Sequence, residues 1–201
     1  MRLPRDFALT TARLRLRCPS REDGPHVFSA TRHPGFNDGM AWDPPEREED
    51  LLPFLEKSLC AWDNGESYTF TMELLGSGVF VGRIAIRREP EEGVWNLGFM
   101  THPRHQGRGY MTEAARAVVD FGFAELGASR IEAAHCLWNK ASETVMSRIG
   151  MTFRRRIEQG LFKKGRWEVE DLRAVDRAEW GRSRSAGRND DKCSGLPGDE
   201  T

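Results

Sequence analysis

Residues 94–114 read Val-Trp-Asn-Leu-Gly-Phe-Met-Thr-His-Pro-Arg-His-Gln-Gly-Arg-Gly-Tyr-Met-Thr-Glu-Ala, from Val94 to Ala114. This run predicts a strand, a tight turn, a glycine loop and a helix, in that order. The helix continues through Met111, Ala115, Val118, Val119, Gly122 and Leu126 at helical spacing, and Gly127 is the expected stop. Arg104, Gly107 and Gly109 form an R-x-x-G-x-G loop where the helix begins. Backbone N–H groups there can converge on an anion, and the positive end of the helix dipole adds to the attraction. The first expectation is therefore a ligand that carries phosphate.

The surrounding composition narrows the class. Hydrophobic residues make up 38% and charged residues 30% of the 201 positions, which predicts a folded domain with a core over residues 1–180. A formal charge of -1 offers no general basis for wrapping a nucleic-acid backbone. No apolar run approaches the roughly 20 residues of a membrane span, and Met-Arg-Leu-Pro-Arg-Asp lacks the apolar centre of a signal peptide. Cys18, Cys60, Cys136 and Cys193 are scattered without metal-ligand spacing, so free thiols in a reducing cytoplasm and no metal site are expected. Residues 181–201 are polar and glycine-rich, and read as a disordered tail.

Upstream of the loop, Leu9 to Arg17 alternates as one half-buried strand, and Ser20-Arg-Glu-Asp23 resembles a capping box opening a short helix. His33 to Pro45 is a punctuated loop containing Phe36, Met40 and Trp42, which either anchor it or line a pocket. Asp43-Pro44 predicts a helix start, with Pro53 kinking or restarting the helix that follows. Tyr68–Leu75, Val79–Arg87 and Val94–Met100 form an antiparallel meander. Downstream, Arg130–Cys136 should return parallel to the Val94 strand, Asn139 should cap a helix closed by Gly150, and a last hairpin spans 152–175. The order predicts a mixed, mostly antiparallel α/β sheet of about seven strands, flanked by helices on both faces.

Three readings of the glycine loop compete. A dinucleotide site would need a third glycine inside the first β-α-β unit, and a P-loop would need Gly-Lys-Ser/Thr; both are absent. A bare turn with no ligand remains open. The combination of the meander, Gly98-Phe-Met, the R-x-x-G-x-G-Tyr-Met-Thr-Glu-Ala run, Asn139-x-x-Ser142 and Gly150-Met resembles the GNAT superfamily of acyl-CoA N-acyltransferases. Within it, the Thr-Ala-Arg-Leu-Arg-Leu-Arg strand, the Trp-Asp-Pro loop and Ala-Glu-Trp180 are most similar to the branch containing the Rim-type ribosomal-protein N-terminal acetyltransferases.

The resemblance implies acetyl-CoA as cosubstrate and a V-shaped splay in the sheet. It puts the pyrophosphate on the backbone of Gln106, Gly107, Arg108, Gly109 and Tyr110, with Arg104, Arg108 and the Thr112 hydroxyl adding contacts. Phe99 and Met100 would pair with the pantetheine arm, and an N–H near Phe99 would polarise the thioester carbonyl. Asn139 would hold the pantetheine or a water, and Ser142 would protonate the departing thiolate or contact CoA. Asn96 stands where many relatives carry a glutamate, and Val169 stands at a usual aspartate. The base is therefore sought among Glu168, Glu170, His135 and Asp43, with Glu168 as the named catalytic candidate, or in a water chain. Period two places Glu168 and Glu170 on one face. Trp42 and Asp43 are the candidate substrate-binding pair, and Glu113 is read as structural.

The implied activity is transfer of acetyl to a primary amine by direct attack, with a protein or peptide N-terminus as the leading acceptor. A small amine such as a polyamine or amino sugar, or an idle acyl-CoA-binding module, are the alternatives. Glu46, Glu48, Glu49 and Asp50 could attract a cationic amine or simply suit a helix N-terminus. The Arg154-Arg155-Arg156 and Lys163-Lys164 hairpin could touch an acidic surface or the 3′-phosphate of CoA. Direct nucleic-acid binding is not expected. A monomer or homodimer fits, since apolar loop residues permit a dimer.

Overall fold

The computed structural model describes residues 1–182. The tail read from sequence lies outside the described residues from 183 onward, and residues 177–182 are helical. Eight strands form one sheet: β1 (Ala8–Thr10), β2 (Leu14–Arg17), β3 (Ser67–Leu74), β4 (Phe80–Arg88), β5 (Val94–Thr101), β6 (Arg130–Cys136), β7 (Thr152–Lys163) and β8 (Arg166–Asp176). Their order across the sheet is β1-β2-β3-β4-β5-β6-β8-β7, and β5–β6 is the parallel pair. The helices are α1 (Gly24–Thr31), α2 (Leu52–Asn64), α3 (Tyr110–Ala124) and α4 (Lys140–Arg148).

The count exceeds the expected seven because the first strand breaks. Glu113 accepts hydrogen bonds from Thr11 Oγ1 at 2.6 Å and from the Arg13 N–H at 2.9 Å, and Thr11 Oγ1 accepts from the Leu14 N–H. With its backbone engaged by side chains, the chain turns at 11–13 and pairs back on itself, Leu9 opposite Leu16. The helix after the loop also begins later than Asp43-Pro44 suggests. Asp43 is drawn to Lys163, so Asp50 becomes the capping acid for the Arg47 N–H, and a short 3-10 turn at Glu48–Leu51 leads into α2. Pro53 sits in the first turn of α2, where its missing N–H leaves no bond unmade, so it marks a restart and not a kink.

The core packs α3 against one face of the sheet. Ala114, Ala115, Val118 and Val119 of α3 are fully buried, together with Ile84 and Ile86 of β4 and Ile131 of β6. Alternation in β4 sends Arg83, Ala85 and Arg87 to the opposite face. That face is covered by α2 and by the loop before it.

Two strands then part. β5 stays paired with β4 as far as Thr101, and β6 stays paired with β8 as far as Cys136. Yet β5 and β6 pair with one another only at Val94, Trp95 and Asn96. From Leu97 and Ala133 onward the sheet splays, leaving two facing edges of backbone donors and acceptors. Such edges require a partner, and a ligand with amide groups can supply one.

Candidate active site

A cavity of about 650 Å³ occupies the splay and continues beneath the 39–42 loop. Gly98, Phe99 and Met100 line it from β5, and Ser142 and Met146 of α4 line it together with Asn139, the residue that caps that helix. At the outer end of β5, the chain enters the glycine loop through a short turn at Pro103–His105. The buried His102 shapes this turn: its Nδ1 accepts the Arg104 N–H at 3.2 Å, and its Nε2 lies 3.0 Å from Ser29 Oγ. Burial, with His33, His105, Arg104 and His26 around it, depresses the His102 imidazole below the ordinary histidine value. A neutral ring is what an Nδ1 acceptor requires. Sequence reading passed over His102, although its place before Pro103 was a capping signal.

Gly107 and Gly109 have φ of 74° and 76°, the left-handed region that residues with a Cβ avoid. The N–H groups of Gly107, Arg108 and Gly109 have no hydrogen-bond partner among the described residues, and they lead into the first turn of α3. Arg104 and Arg108 are exposed, with no carboxylate partner among the described residues. The loop is braced from behind: Arg13 donates to Glu113 Oε2 at 2.6 Å and to the Arg108 carbonyl at 3.1 Å, and lies over the Tyr110 ring. Burial acts to raise the Glu113 carboxyl, but the Thr11 and Arg13 donors hold it below the usual range, so it stays an ionised brace. The exposed Gln106 side chain folds back instead, donating to the Thr101 carbonyl. Thr112 is half-buried in the first turn of α3.

These features suit a pyrophosphate and its pantetheine arm. The loop offers unpaired N–H donors and a helix N-terminus, and the splayed edge offers the ladder groups for amides.

Asn139 caps α4 by accepting the Ser142 N–H on Oδ1 at 3.1 Å, with Nδ2 close to Gly39. The Ser142 hydroxyl has no partner among the described residues. The two tryptophan-flanking glutamates separate. Glu168 lies outside the cavity lining, accepting from Arg166 Nε at 2.6 Å and Trp138 Nε1 at 3.3 Å. Glu170 lines the cavity, near Cys136 Sγ and the His135 ring. The bulges between Phe153 and Arg155 and between Ile157 and Leu161 add residues to β7 and not to β8, so Glu168 and Glu170 stay on one face of β8 and both are half-buried, but Glu170 lines the cavity and Glu168 does not. Burial raises the Glu170 carboxyl above its ordinary range, with the His135 ring opposing. His135 is 3% exposed; its Nδ1 lies 3.0 Å from the Cys136 carbonyl and its Nε2 is buried without a partner among the described residues. The Cys136 thiol is pushed by burial to about 11, which leaves it a poor nucleophile at neutral pH.

Trp42 lines the cavity, and Asp43 does not. Asp43 accepts from Lys163 Nζ at 2.6 Å, while the same ammonium donates to the Trp42 carbonyl at 2.8 Å and Lys164 pairs with Asp38. The lysines of the last hairpin therefore clip the 33–45 loop over the cavity. Arg154 pairs with Asp176 and Glu179, and Arg156 with Asp171, so most of the basic hairpin is engaged internally. Glu46, Glu48, Glu49 and Asp50 stand outside the large cavity. Cys18, Cys60 and Cys136 are free thiols. Among the described residues, no group of three or more His, Cys, Asp or Glu side chains could hold a metal, and no helix is long and apolar enough to cross a membrane.

Known proteins share this architecture. The chain is 32% identical over 138 residues to the uncharacterized N-acetyltransferase YnaD of Bacillus subtilis strain 168, covering 66% of this chain and 76% of that protein. It superposes on a GNAT-family acetyltransferase from Bacillus anthracis with a TM-score of 0.75 at 25% identity, covering 85% of this chain and 98% of the other. It has the same fold as RimL, a ribosomal-protein α-N acetyltransferase solved with coenzyme A (TM-score 0.76, 16% identity, 85% and 98% covered). A family model of the acetyltransferase (GNAT) domain matches residues 13–152, a span containing the splayed strands, the glycine loop and Asn139; the chain belongs to the GNAT family and is an acetyl-CoA-dependent N-acetyltransferase.

Proposed function

We propose that the enzyme acetylates the α-amine at the N-terminus of a peptide or protein, by direct attack with donor and acceptor bound together. One observation carries the reading: a single cavity joins the splayed strands to the space under the Trp42 loop. The donor arm and an amine can therefore meet in one chamber. Acetyl-CoA supplies the activated acetyl group, and every other task falls to the chain.

In this reading Gln106 to Tyr110, Arg104, Arg108 and Thr112 bind the phosphates, and Phe99 and Met100 align the arm. The N–H near Phe99 polarises the thioester carbonyl. Glu170, a carboxylate of raised pKa at the cavity wall, accepts the proton of the attacking amine. The Ser142 hydroxyl delivers a proton to the leaving sulfur, and Asn139 positions the arm through Nδ2. Glu168 serves by orienting Trp138. The weak Cys136 nucleophile favours direct attack over a covalent acyl-enzyme.

A polypeptide acceptor is supported by Trp138, which is about half exposed and stands against the cavity-lining Gly39. It offers a surface for residues that follow the reacting N-terminus. RimL, of the same fold, is named for an α-N-protein activity. The test is to incubate the enzyme with acetyl-CoA and peptides whose N-termini are free or blocked, beside polyamines and amino sugars. Free thiol release and mass gain confined to free N-termini are expected. Turnover of polyamines or amino sugars alone would overturn the acceptor assignment.

A further inference from the structure

The acceptor end of the cavity has a sign. Its wall carries Lys57, Arg83 and Arg87 against one carboxylate, Glu170. The strand registers order the floor. Thr69, Ala85 and Gly98 stand side by side on β3, β4 and β5. This row of small side chains is flanked along β4 by Arg83 on one side and Arg87 on the other. Above the floor, Phe54, Lys57, Ser58 and Ala61 present one face of α2 to the cavity, as their helical spacing allows.

The three cations are not equivalent. Arg83 has a carboxylate neighbour, Asp23 at 3.7 Å, although Arg17 holds the same acid more closely at 2.8 Å. Arg87 has no carboxylate partner among the described residues; it donates to the neutral Asn96 Oδ1 at 3.0 Å. Its guanidinium lies over Gly98, 3.2 Å from where a Cβ would stand. Lys57 likewise has no ion pair among the described residues. Arg87 is remote from the pyrophosphate loop, because its strand partner Asn96 is five residues and roughly 17 Å back along β5 from Thr101, whereas Arg83 stands opposite Met100 near the loop. Arg87 faces the acceptor.

We infer that the acceptor carries an anionic group, a carboxylate or a phosphate, close to its reacting amine, and that Arg87 with Lys57 holds it above the Thr69–Ala85–Gly98 floor. This rests on the reading of the cavity as the acceptor chamber. In a peptide the anion is an acidic or phosphorylated side chain at the second residue. A guanidinium whose neighbour is a neutral amide keeps its charge available for such a group. Polyamines and amino sugars would bring further positive charge against the same wall, at a Coulombic cost.

The test uses the intact enzyme and acetyl-CoA with otherwise identical free-N-terminal peptides whose second residue is Asp, phosphoserine, Gln or Lys. The Asp or phosphoserine peptide should exceed the Gln peptide in kcat/KM by about 10-fold, with the Lys peptide lowest. The two acidic arms tell carboxylate from phosphate. Arg87→Ala should remove the advantage through KM for the peptide, Arg87→Lys should restore part of it, and the CoA Kd measured on each variant reports folding. Equal turnover of all four peptides, or an Arg87→Ala effect that is the same for all, would overturn the anion inference and leave the N-terminal reading standing. Turnover of free amino acids but no peptide, with the same Arg87 dependence, would overturn the N-terminal reading and support the anion.

Discussion

Glu170 occupies the space that a side chain on Gly160 would fill. A Cβ built there would stand 2.5 Å from Glu170 Oε2 and 2.6 Å from its Cγ. The bulged segment of β7 thus makes room for the one carboxylate on the cavity wall. Glu170→Gln should lower kcat/KM by roughly 100-fold or more, the scale of a positioned general base. Gly160→Val should do the same indirectly, by moving the carboxylate. Since burial raises the Glu170 carboxyl, activity should climb with pH through an acidic limb above the ordinary glutamate value, and Gln at 170 should abolish that limb. A pH–rate profile that keeps the limb in Glu170→Gln would assign the base elsewhere, with the unpartnered His135 Nε2 next in line.

Gly107 has open space around its Cα, so a substitution there meets no neighbour. The penalty comes from its φ of 74°, which costs a Cβ-bearing residue about 1–2 kcal/mol and will rotate the donors away from an anion. Gly107→Val should weaken CoA binding by about 10-fold or more, with the melting temperature lower by only a few degrees. Calorimetric titration with CoA checks both the affinity and the integrity of the fold. Unaltered affinity would remove the pyrophosphate from this loop.

On the acid side of the ordinary histidine value, CoA affinity should fall as His102 protonates. The charged ring has no acceptor at Nδ1 for the Arg104 N–H, so the turn feeding the glycine loop loosens. His33, His105, Arg104 and His26 all face this ring and oppose its protonation. Because the folded value is depressed, the unfolded chain binds the proton first. The stabilising contribution is therefore present above the unfolded value and lost as pH falls toward the folded one. His102→Ala should lower CoA affinity at pH 8 and flatten its dependence on acidification, measured by titration from alkaline to acidic pH.

Lys163 should control the loop over the cavity. Its side chain is 8% exposed and is held by the Trp42 carbonyl and by Asp43, whose own side chain is 88% exposed. Lys163→Met should raise acceptor KM several-fold and speed proteolytic cleavage within 33–45, while Asp43→Ala should cost less than about 1 kcal/mol, as for an exposed ion-pair partner. Peptide mapping of limited digests, with and without acceptor, measures the difference.

The amino-acid sequence by itself determined the order of strands and helices, the parallel return of β6, the glycine loop and the Asn139 cap. Each depends on neighbours in the chain: alternation along a strand, apolar spacing along a helix, or a glycine where φ turns positive. The sequence also carried, through the five motifs around Val94–Ala114, the resemblance to an acetyl-CoA enzyme. Tertiary structure alone decided what each side chain faces. Glu113, one hundred residues from Arg13, breaks the first strand in two because its carboxylate satisfies that turn. Asp43 lost its place as a helix cap to an ammonium 120 residues away. Glu168 and Glu170 share one face of β8 and differ only in tertiary partners, Glu168 held by Arg166 and Trp138 and Glu170 filling the space over Gly160 at the cavity wall. Arg83 and Arg87 showed period two with Ile84 and Ile86, but which face meets α2 is set by the packing of α3 on the other. The donor was legible because a phosphate cradle is built from contiguous backbone. The acceptor side was not, because charge at a cavity wall is assembled from α2, β4 and β8, and no local pattern records that meeting.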